Sequence, residues 1–202
     1  MDDIDVLIIG GGVGGLSCAM TISSAGPRPW FGDRRVLVID DGGSDLNKAR
    51  LFNAPGIVPG TTGVQTLENL RAQLGQYPAA TLVAGRVVRV ERDGDRWAVA
   101  TNSGDSYTCE TIVLATGYKC CDIEALPVSP VPHPRGGKAD RIMFEHDDVY
   151  HVAPNLHVAG LLGGGSSQFA IAAGIGVQVA VEILSGWAGK RTHIHDVPEP
   201  PQ

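Results

Sequence analysis

The stretch Asp5–Met20, "DVLIIGGGVGGLSCAM", decides the fold. Its first half is a near-continuous apolar run, as expected of a parallel strand buried on both faces. Gly10–Gly15 reads as a turn, and Leu16 to about Ser24 as a helix. The next apolar run, "RVLVID", ends at Asp40 and reads as a second buried strand, which completes a βαβ unit. Gly10-x-Gly12-x-x-Gly15 thus leaves a strand and opens a helix, with an acid at the end of the following strand. That is the context required of a dinucleotide fingerprint. Gly10 permits the tight turn, Gly12 lets a pyrophosphate approach the backbone, and Gly15 lets helix and strand pack closely. Val13 and Gly14 lie inside the same binding stretch. The helix N-terminus offers unpaired N–H groups and a partial positive charge. Asp40, followed by Asp41, is placed to bond adenosine ribose hydroxyls and would repel a 2′-phosphate. The competing reading is a glycine turn without ligand, and the motif alone does not separate FAD from NAD.

A second glycine-rich turn lies near the other end, in "HVAGLLGGGSSQFAIAAGIG", His157–Gly176. It too reads as strand, turn and helix, the helix running from Ser166 to Trp187. Between the two, "VQTLENLRAQLGQY" spaces Val64, Leu67, Leu70 and Leu74 as one face of an amphipathic helix. Turn signals at Asp93-Gly94-Asp95 and Asn102–Asp105 mark a meander of three short strands, which runs into a last buried strand, "TIVLATG". Residues 118–138 carry four prolines and no period, so they read as linker. "VYHVAPNLHVAG" gives one or two short strands.

The bulk numbers narrow the class. The chain has 202 residues, 43% hydrophobic and 19% charged, an ordinary globular balance. A net charge of -6 gives no electrostatic footprint for nucleic acid or an anionic membrane. The acidic opening "MDDIDV" is unlike a secretory signal, and the apolar run Phe169–Leu184 is short for a membrane span and interrupted by polar residues. Four cysteines form no secreted disulfide framework, so a cytoplasmic protein is expected. Neither the histidines nor the run His146–Asp148 has zinc-site spacing, so no metal is expected. There is no G-x-S-x-G elbow and no P-loop.

With these motifs in order, the chain resembles the thioredoxin-reductase-like, FAD-dependent pyridine nucleotide-disulfide oxidoreductases. The resemblance rests on "DVLIIGGGVGGLSCA", "RVLVIDDGG", "FNAPGI", "TIVLATG" and "PNLHVAGLLGGGSSQFAIAAGIGVQVAVEI", and covers about Asp5 to Leu184. It implies an α/β, Rossmann-like FAD-binding domain with a parallel sheet, flanking helices and an inserted β-meander. It implies FAD, its ADP half held by Gly10, Gly12, Gly15 and Asp40, with Ala115, Thr116 and Gly117 passing near the adenine and pyrophosphate side. Ser167, Gln168 and Phe169 would bring a helix N-terminus to the pyrimidine edge of the flavin ring, where negative charge gathers on reduction. Ala170, Ala172, Ala173 and Gly174 would let that helix pack on cofactor or sheet. Tyr118, Tyr150, His151 and Trp30 are candidates to border the ring.

The chain departs from the family in three places. Gly117 and Leu156 stand fewer than forty residues apart, too little for the NAD(P)H module that relatives insert there. The expected organisation is therefore one FAD-binding domain over 1–190: a leading segment over 1–117 with the glycine motif, a short linker 118–155 and a closing flavin segment 156–190, with a flexible tail 191–202. The CxxC of the missing module is missing with it. No catalytic group is assigned. The vicinal pair Cys120-Cys121 is the candidate for a redox role, against the reading of two unrelated thiols, with Lys119 beside them able to lower a thiol pKa. Finally, the family's Gly-Asp is here Gly160-Leu161, which removes an acceptor for the ribityl chain. The expected activity is flavin-dependent oxidoreduction or electron transfer, with NAD(P)H or a partner reductase as external donor and a homodimer possible. The alternatives are a non-catalytic nucleotide-binding or redox-sensing module, and the FAD subunit of a split reductase.

Overall fold

A computed structural model describes residues 4–119 and 121–194. Cys120 and most of the tail for which flexibility is expected lie outside the described residues.

The first apolar run forms β1 (Ile4–Ile9), and the helix that follows, α1 (Val13–Ser23), begins inside the glycine motif, so that Gly14 and Gly15 occupy its first turn. β2 (Val36–Asp40) pairs in parallel with β1 through the register Val6 to Val36. A loop carrying a short 3₁₀ turn (Asp45–Lys48) and the small hairpin β3 (Arg50–Leu51) and β4 (Thr61–Thr62) leads into α2 (Gly63–Leu74). There Leu67 and Leu74 are fully buried, whereas Val64 is exposed and Thr66 takes a buried position instead. The apolar spacing is right, but the buried face is rotated away from Val64, which sits in the first turn next to the solvent-facing hairpin.

β5 (Ala80–Ala84) is a parallel edge strand on β2, outside the meander. The meander consists of β6 (Val87–Asp93), β7 (Arg96–Thr101) and β8 (Ser106–Leu114). Its third strand and the expected last buried strand are one element. Ser106–Cys109 pairs antiparallel with β7, and Cys109–Leu114 pairs in parallel with β1. After the two-residue pair β9 (Val131–Pro132) and β10 (Ile142–Met143), the strands β11 (His151–Ala153) and β12 (Leu156–Val158) complete the sheet. Its order is β11-β12-β8-β1-β2-β5, parallel except at β11. A 3₁₀ turn (Gly160–Gly163) and α3 (Phe169–Ala188) close the chain.

Alternate residues of β1 point to opposite layers. Val6 and Ile8 join Leu16, Ile22, Val38, Val179 and Ile183 beneath the helices, while Leu7 and Ile9 join Val90, Trp97, Ile112 and Leu114 beneath the meander. Trp97 is completely enclosed and donates its indole N–H to Asn155 O at 3.1 Å. The 118–155 segment is more ordered than a linker: Glu124 exchanges two backbone hydrogen bonds with Val88 and Val90. α3 runs four residues beyond Leu184 and is long and apolar enough, by length and composition, to cross a membrane. Here it packs along α1, so closely that a Cβ on Gly176 would stand 2.1 Å from Gly14 O. The small residues of α3 thus serve helix–helix contact through Ala172 and Gly176, whereas Ala170 and Gly174 are exposed.

Candidate functional site

The C-terminal ends of β1, β2 and β8 open on one cleft of about 600 Å³, within the usual range for a ligand site. The motif glycines shape its floor in different ways. Gly10 (φ +110°) crosses over β8, and a Cβ there would stand 2.4 Å from Ala115 O. A Cβ on Gly15 would meet Gly10 O at 2.0 Å, and one on Gly14 would meet Gly160 Cα at 2.6 Å. These three positions are glycine because protein backbone lies against them. Gly12 differs: among the described residues beyond its own helix and chain neighbours, the one atom within 4 Å of its absent Cβ is Ser44 Oγ, at 3.6 Å. Its open side faces the cleft.

The first intrahelical bond of α1 is Leu16 N–H to Gly12 O, 2.9 Å. The N–H groups of Gly12 to Gly15 therefore have no partner within the helix, and they carry the positive end of its dipole. At α3 the first such bond is Ala172 N–H to Gln168 O, 3.0 Å, which leaves the N–H groups of Phe169 to Ile171 at a second helix start beside the same cleft. An anion at the first start and a polar ring edge at the second both suit these groups.

Asp40 is mostly buried and held on both oxygens. Oδ1 accepts Gly11 N–H at 3.0 Å, and Oδ2 accepts from Arg71 Nη2 of α2 at 3.0 Å. Each oxygen retains a second lone pair for a hydroxyl donor. Asp41 is exposed and accepts Gly43 N–H at 2.8 Å.

The cleft brings together Gly10, Gly12, Val13, Gly14, Asp40, Asp41, Ala115, Thr116, Gly117, Gly160, Leu161, Ser167, Gln168 and Phe169. Gly15, alone of the residues expected to hold the cofactor, is not on its wall as described, because its place is taken up by packing against Gly10. Leu161, at the position where the resemblance implies a carboxylate, is on the cleft wall. Cys121 is half-buried on the wall, and its neighbour Cys120 lies outside the described residues. Burial pushes the Cys109 thiol up to about 12 and the Cys18 thiol higher still, which makes both inert packing groups. Of the candidate aromatic neighbours only Tyr118 lines the cleft; Trp30, Tyr150 and His151 lie elsewhere. Among the described residues no three His, Cys, Asp or Glu are grouped to hold a metal ion.

Sequence reasoning passed over several groups. Ser44 caps the 3₁₀ turn by accepting Leu46 N–H and stands opposite Gly12. Asn53 donates to Gln168 Oε1 at 3.2 Å, joining the "FNAPGI" loop to the start of α3, and Asp45 pairs with Lys119, the lysine expected to act on the neighbouring thiols. All of these line the cleft, and they come from segments far apart in sequence. A serine before a short polar helix was the one signal available for Ser44.

The same fold recurs in known structures. A thioredoxin reductase from Gloeobacter violaceus superposes with a TM-score of 0.77 at 15% identity, covering 98% of this chain and 100% of that one. An oxidoreductase from Agrobacterium tumefaciens gives 0.78 at 13% identity, covering 93% and 99%. At such identities the likeness is one of fold. In sequence, the chain is 29% identical to a thioredoxin reductase of Streptomyces coelicolor over 118 residues, 58% of this chain and 35% of the relative. It is 28% identical to a ferredoxin–NADP reductase of Leuconostoc citreum over 200 residues, 95% of this chain and 52% of the relative. The chain thus spans between a third and about half the length of these relatives. The family model for pyridine nucleotide-disulphide oxidoreductases matches residues 4–183, and the chain belongs to that family.

Proposed function

We propose that the chain is an FAD-binding flavoprotein unit of an oxidoreductase, organised as one nucleotide-binding domain over residues 1–190. The observation that carries this reading is the meeting of both glycine turns, separated by some 150 residues of sequence, in a single cleft. The open side of Gly12 forms a cradle that a Cβ would fill, and the N-terminus of α1 offers N–H groups for a diphosphate. Asp40, oriented by Gly11 and Arg71, accepts the ribose hydroxyls. Ala115, Thr116 and Gly117 pass along the adenine and diphosphate side. Gly160 and Leu161 would take the ribityl chain, and the N–H groups at Phe169 would serve the pyrimidine edge of the ring, with Ser167 and Gln168 before them. When bound, FAD supplies the electron-accepting and electron-donating centre; the residues around it bind, orient and shield. The external donor is NAD(P)H or a partner reductase, as the names of the thioredoxin and ferredoxin–NADP relatives suggest for the class.

Titration of the purified chain with FAD, followed by flavin fluorescence and visible absorbance, tests this reading. Saturable binding with a perturbed flavin band is expected, and a protein that takes up no flavin would overturn it. Anaerobic addition of NADH or NADPH to the loaded protein then separates a self-sufficient enzyme, which bleaches, from a unit that needs a reductase partner.

A further inference from the structure

The turn that carries Leu161 is held from behind by the segment between β9 and His146. Four successive carbonyls of this turn each have a partner there. Leu161 O lies 3.0 Å from His133 Nε2, and Leu162 O accepts Phe144 N–H at 3.3 Å. Gly164 O accepts from Arg135 Nη1 at 2.7 Å, and Gly163 O lies 3.2 Å from Nε2 of His146, whose Nδ1 faces Asp147 O at 2.7 Å, so a neutral His146 donates to one of these two carbonyls. His133 is 8% exposed, and its Nδ1 accepts Arg135 N–H at 3.0 Å, so its proton resides on Nε2 and points at Leu161 O. The glycine run is shaped by the same contacts. A Cβ on Gly163 would meet the Tyr150 ring at 3.0 Å, and one on Gly164 (φ +76°) would meet the Met143 sulfur at 3.1 Å.

The segment also holds a second part of the cleft wall, at Tyr118. Ile142 N–H donates to Tyr118 O at 2.8 Å, the Arg141 guanidinium lies 4.9 Å from the Tyr118 ring centroid, and the His133 ring meets that ring edge-on at 5.4 Å. Of the turn, Gly160 and Leu161 line the cleft, while Leu162, Gly163 and Gly164 do not. The carbonyl side of the turn is thus occupied by the segment, and the side bearing Leu161 is left to the ligand.

We infer that residues 131–146 are a brace for the ligand site and that His133 is its positioning residue. The inference rests on the FAD reading above. In place of the missing carboxylate at position 161, the site uses a main chain held rigid from behind: His133 fixes both Leu161 and, through its ring, Tyr118. The ordering cost that a loose turn would incur on binding is met in the folded state before the flavin arrives.

The test compares FAD affinity of the wild-type chain with His133→Phe, His133→Gln and Arg135→Ala. Phenylalanine keeps the ring and loses the donor, while glutamine can place an N–H donor near the Nε2 position. Loss of one buried hydrogen bond to the turn is expected to weaken FAD roughly tenfold in His133→Phe. His133→Gln should recover most of that loss, and Arg135→Ala, at an exposed residue, should weaken FAD severalfold with the thermal midpoint of the ligand-free protein unchanged. A merely structural role would lower the midpoint without rescue by glutamine. If His133→Phe fails to fold, Arg135→Ala decides. Wild-type binding with undiminished affinity in the variants overturns the brace alone; a wild-type chain that binds no FAD overturns the FAD reading and the brace with it.

Discussion

Two glycines of one motif do opposite work, and a methyl group distinguishes them. At Gly14 a Cβ would press into the backbone of Gly160 at 2.6 Å. Gly160 opens the 3₁₀ turn, and Ala172 O of α3 would stand 3.2 Å from the same Cβ, so α1 cannot retreat without opening its contacts with both, and Gly14→Ala is expected to cost about 2 kcal/mol or more, read in urea or thermal unfolding. At Gly12 (φ -80°) an alanine fits the backbone and meets only Ser44 Oγ, so Gly12→Ala should stay within roughly 0.5 kcal/mol of wild type while FAD titration shows a clear loss of affinity. Equal unfolding costs for the two would contradict this division. Leu161 gives the converse experiment. It lines the cleft on a braced turn, so Leu161→Asp adds an acceptor at an already ordered position and should tighten FAD by roughly ten- to a hundredfold, worth ~1.5–3 kcal/mol. Unchanged affinity would show that the ribityl chain does not pass there.

At the scale of elements, legibility followed periodicity. β1, β2, α1 and α3 were readable because unbroken apolar runs and glycine turns have one physical meaning each. Where β8 leaves the meander and enters the parallel sheet, the sequence shows no break, since Cys109 pairs with Trp97 on one side and Ile4 on the other. The brace was invisible for a different reason. Its strands are two residues long, and its work is done by single hydrogen bonds to carbonyls far along the chain, which leave no pattern in composition. The edge pair β11–β12 holds a similar hidden feature. His157 is 4% exposed, its Nδ1 has no hydrogen-bond partner among the described residues, and its ring lies 4.2 Å from that of His151, which is bonded to Asp147. Burial, with the neighbouring His151 charge and against the pull of Asp147, lowers the His157 pKa from 6.5 to about 3. The unfolded chain takes up this proton first, so the stability that neutral His157 contributes is complete above pH 6.5 and is lost as pH falls toward 3. Between pH 6.5 and 4 the loss is about 3 kcal/mol. Unfolding midpoints in urea at pH 7, 5 and 4 should show it, and His157→Met should flatten the slope.

For the whole molecule, the cleft is where the fold is joined. Its walls come from the β1–α1 turn, the loop before β3, the junction of β5 and β6, the turn after β8 and the closing segment before α3. Side chains join some of these segments, as Lys119 does with Asp45, and Asn53, in the loop after β3, with Gln168. A ligand filling the cleft therefore ties together segments from both ends of the chain, and it binds the folded state while the unfolded chain, with its turns apart, offers it nothing. Linkage then fixes the expected effect: FAD at a hundred times its dissociation constant adds about 2.7 kcal/mol. For a domain of this size each kcal/mol moves the thermal midpoint by ~2–4 °C, so saturation should raise it by roughly 5–10 °C. Adenosine diphosphate, which reaches only the α1 side of the cleft, should stabilise less at the same multiple of FAD's dissociation constant, because it leaves the Leu161 turn and α3 untouched. If both ligands shift the midpoint equally at that concentration, the two glycine turns do not share one ligand. The cleft would then be an ADP site with an apolar extension.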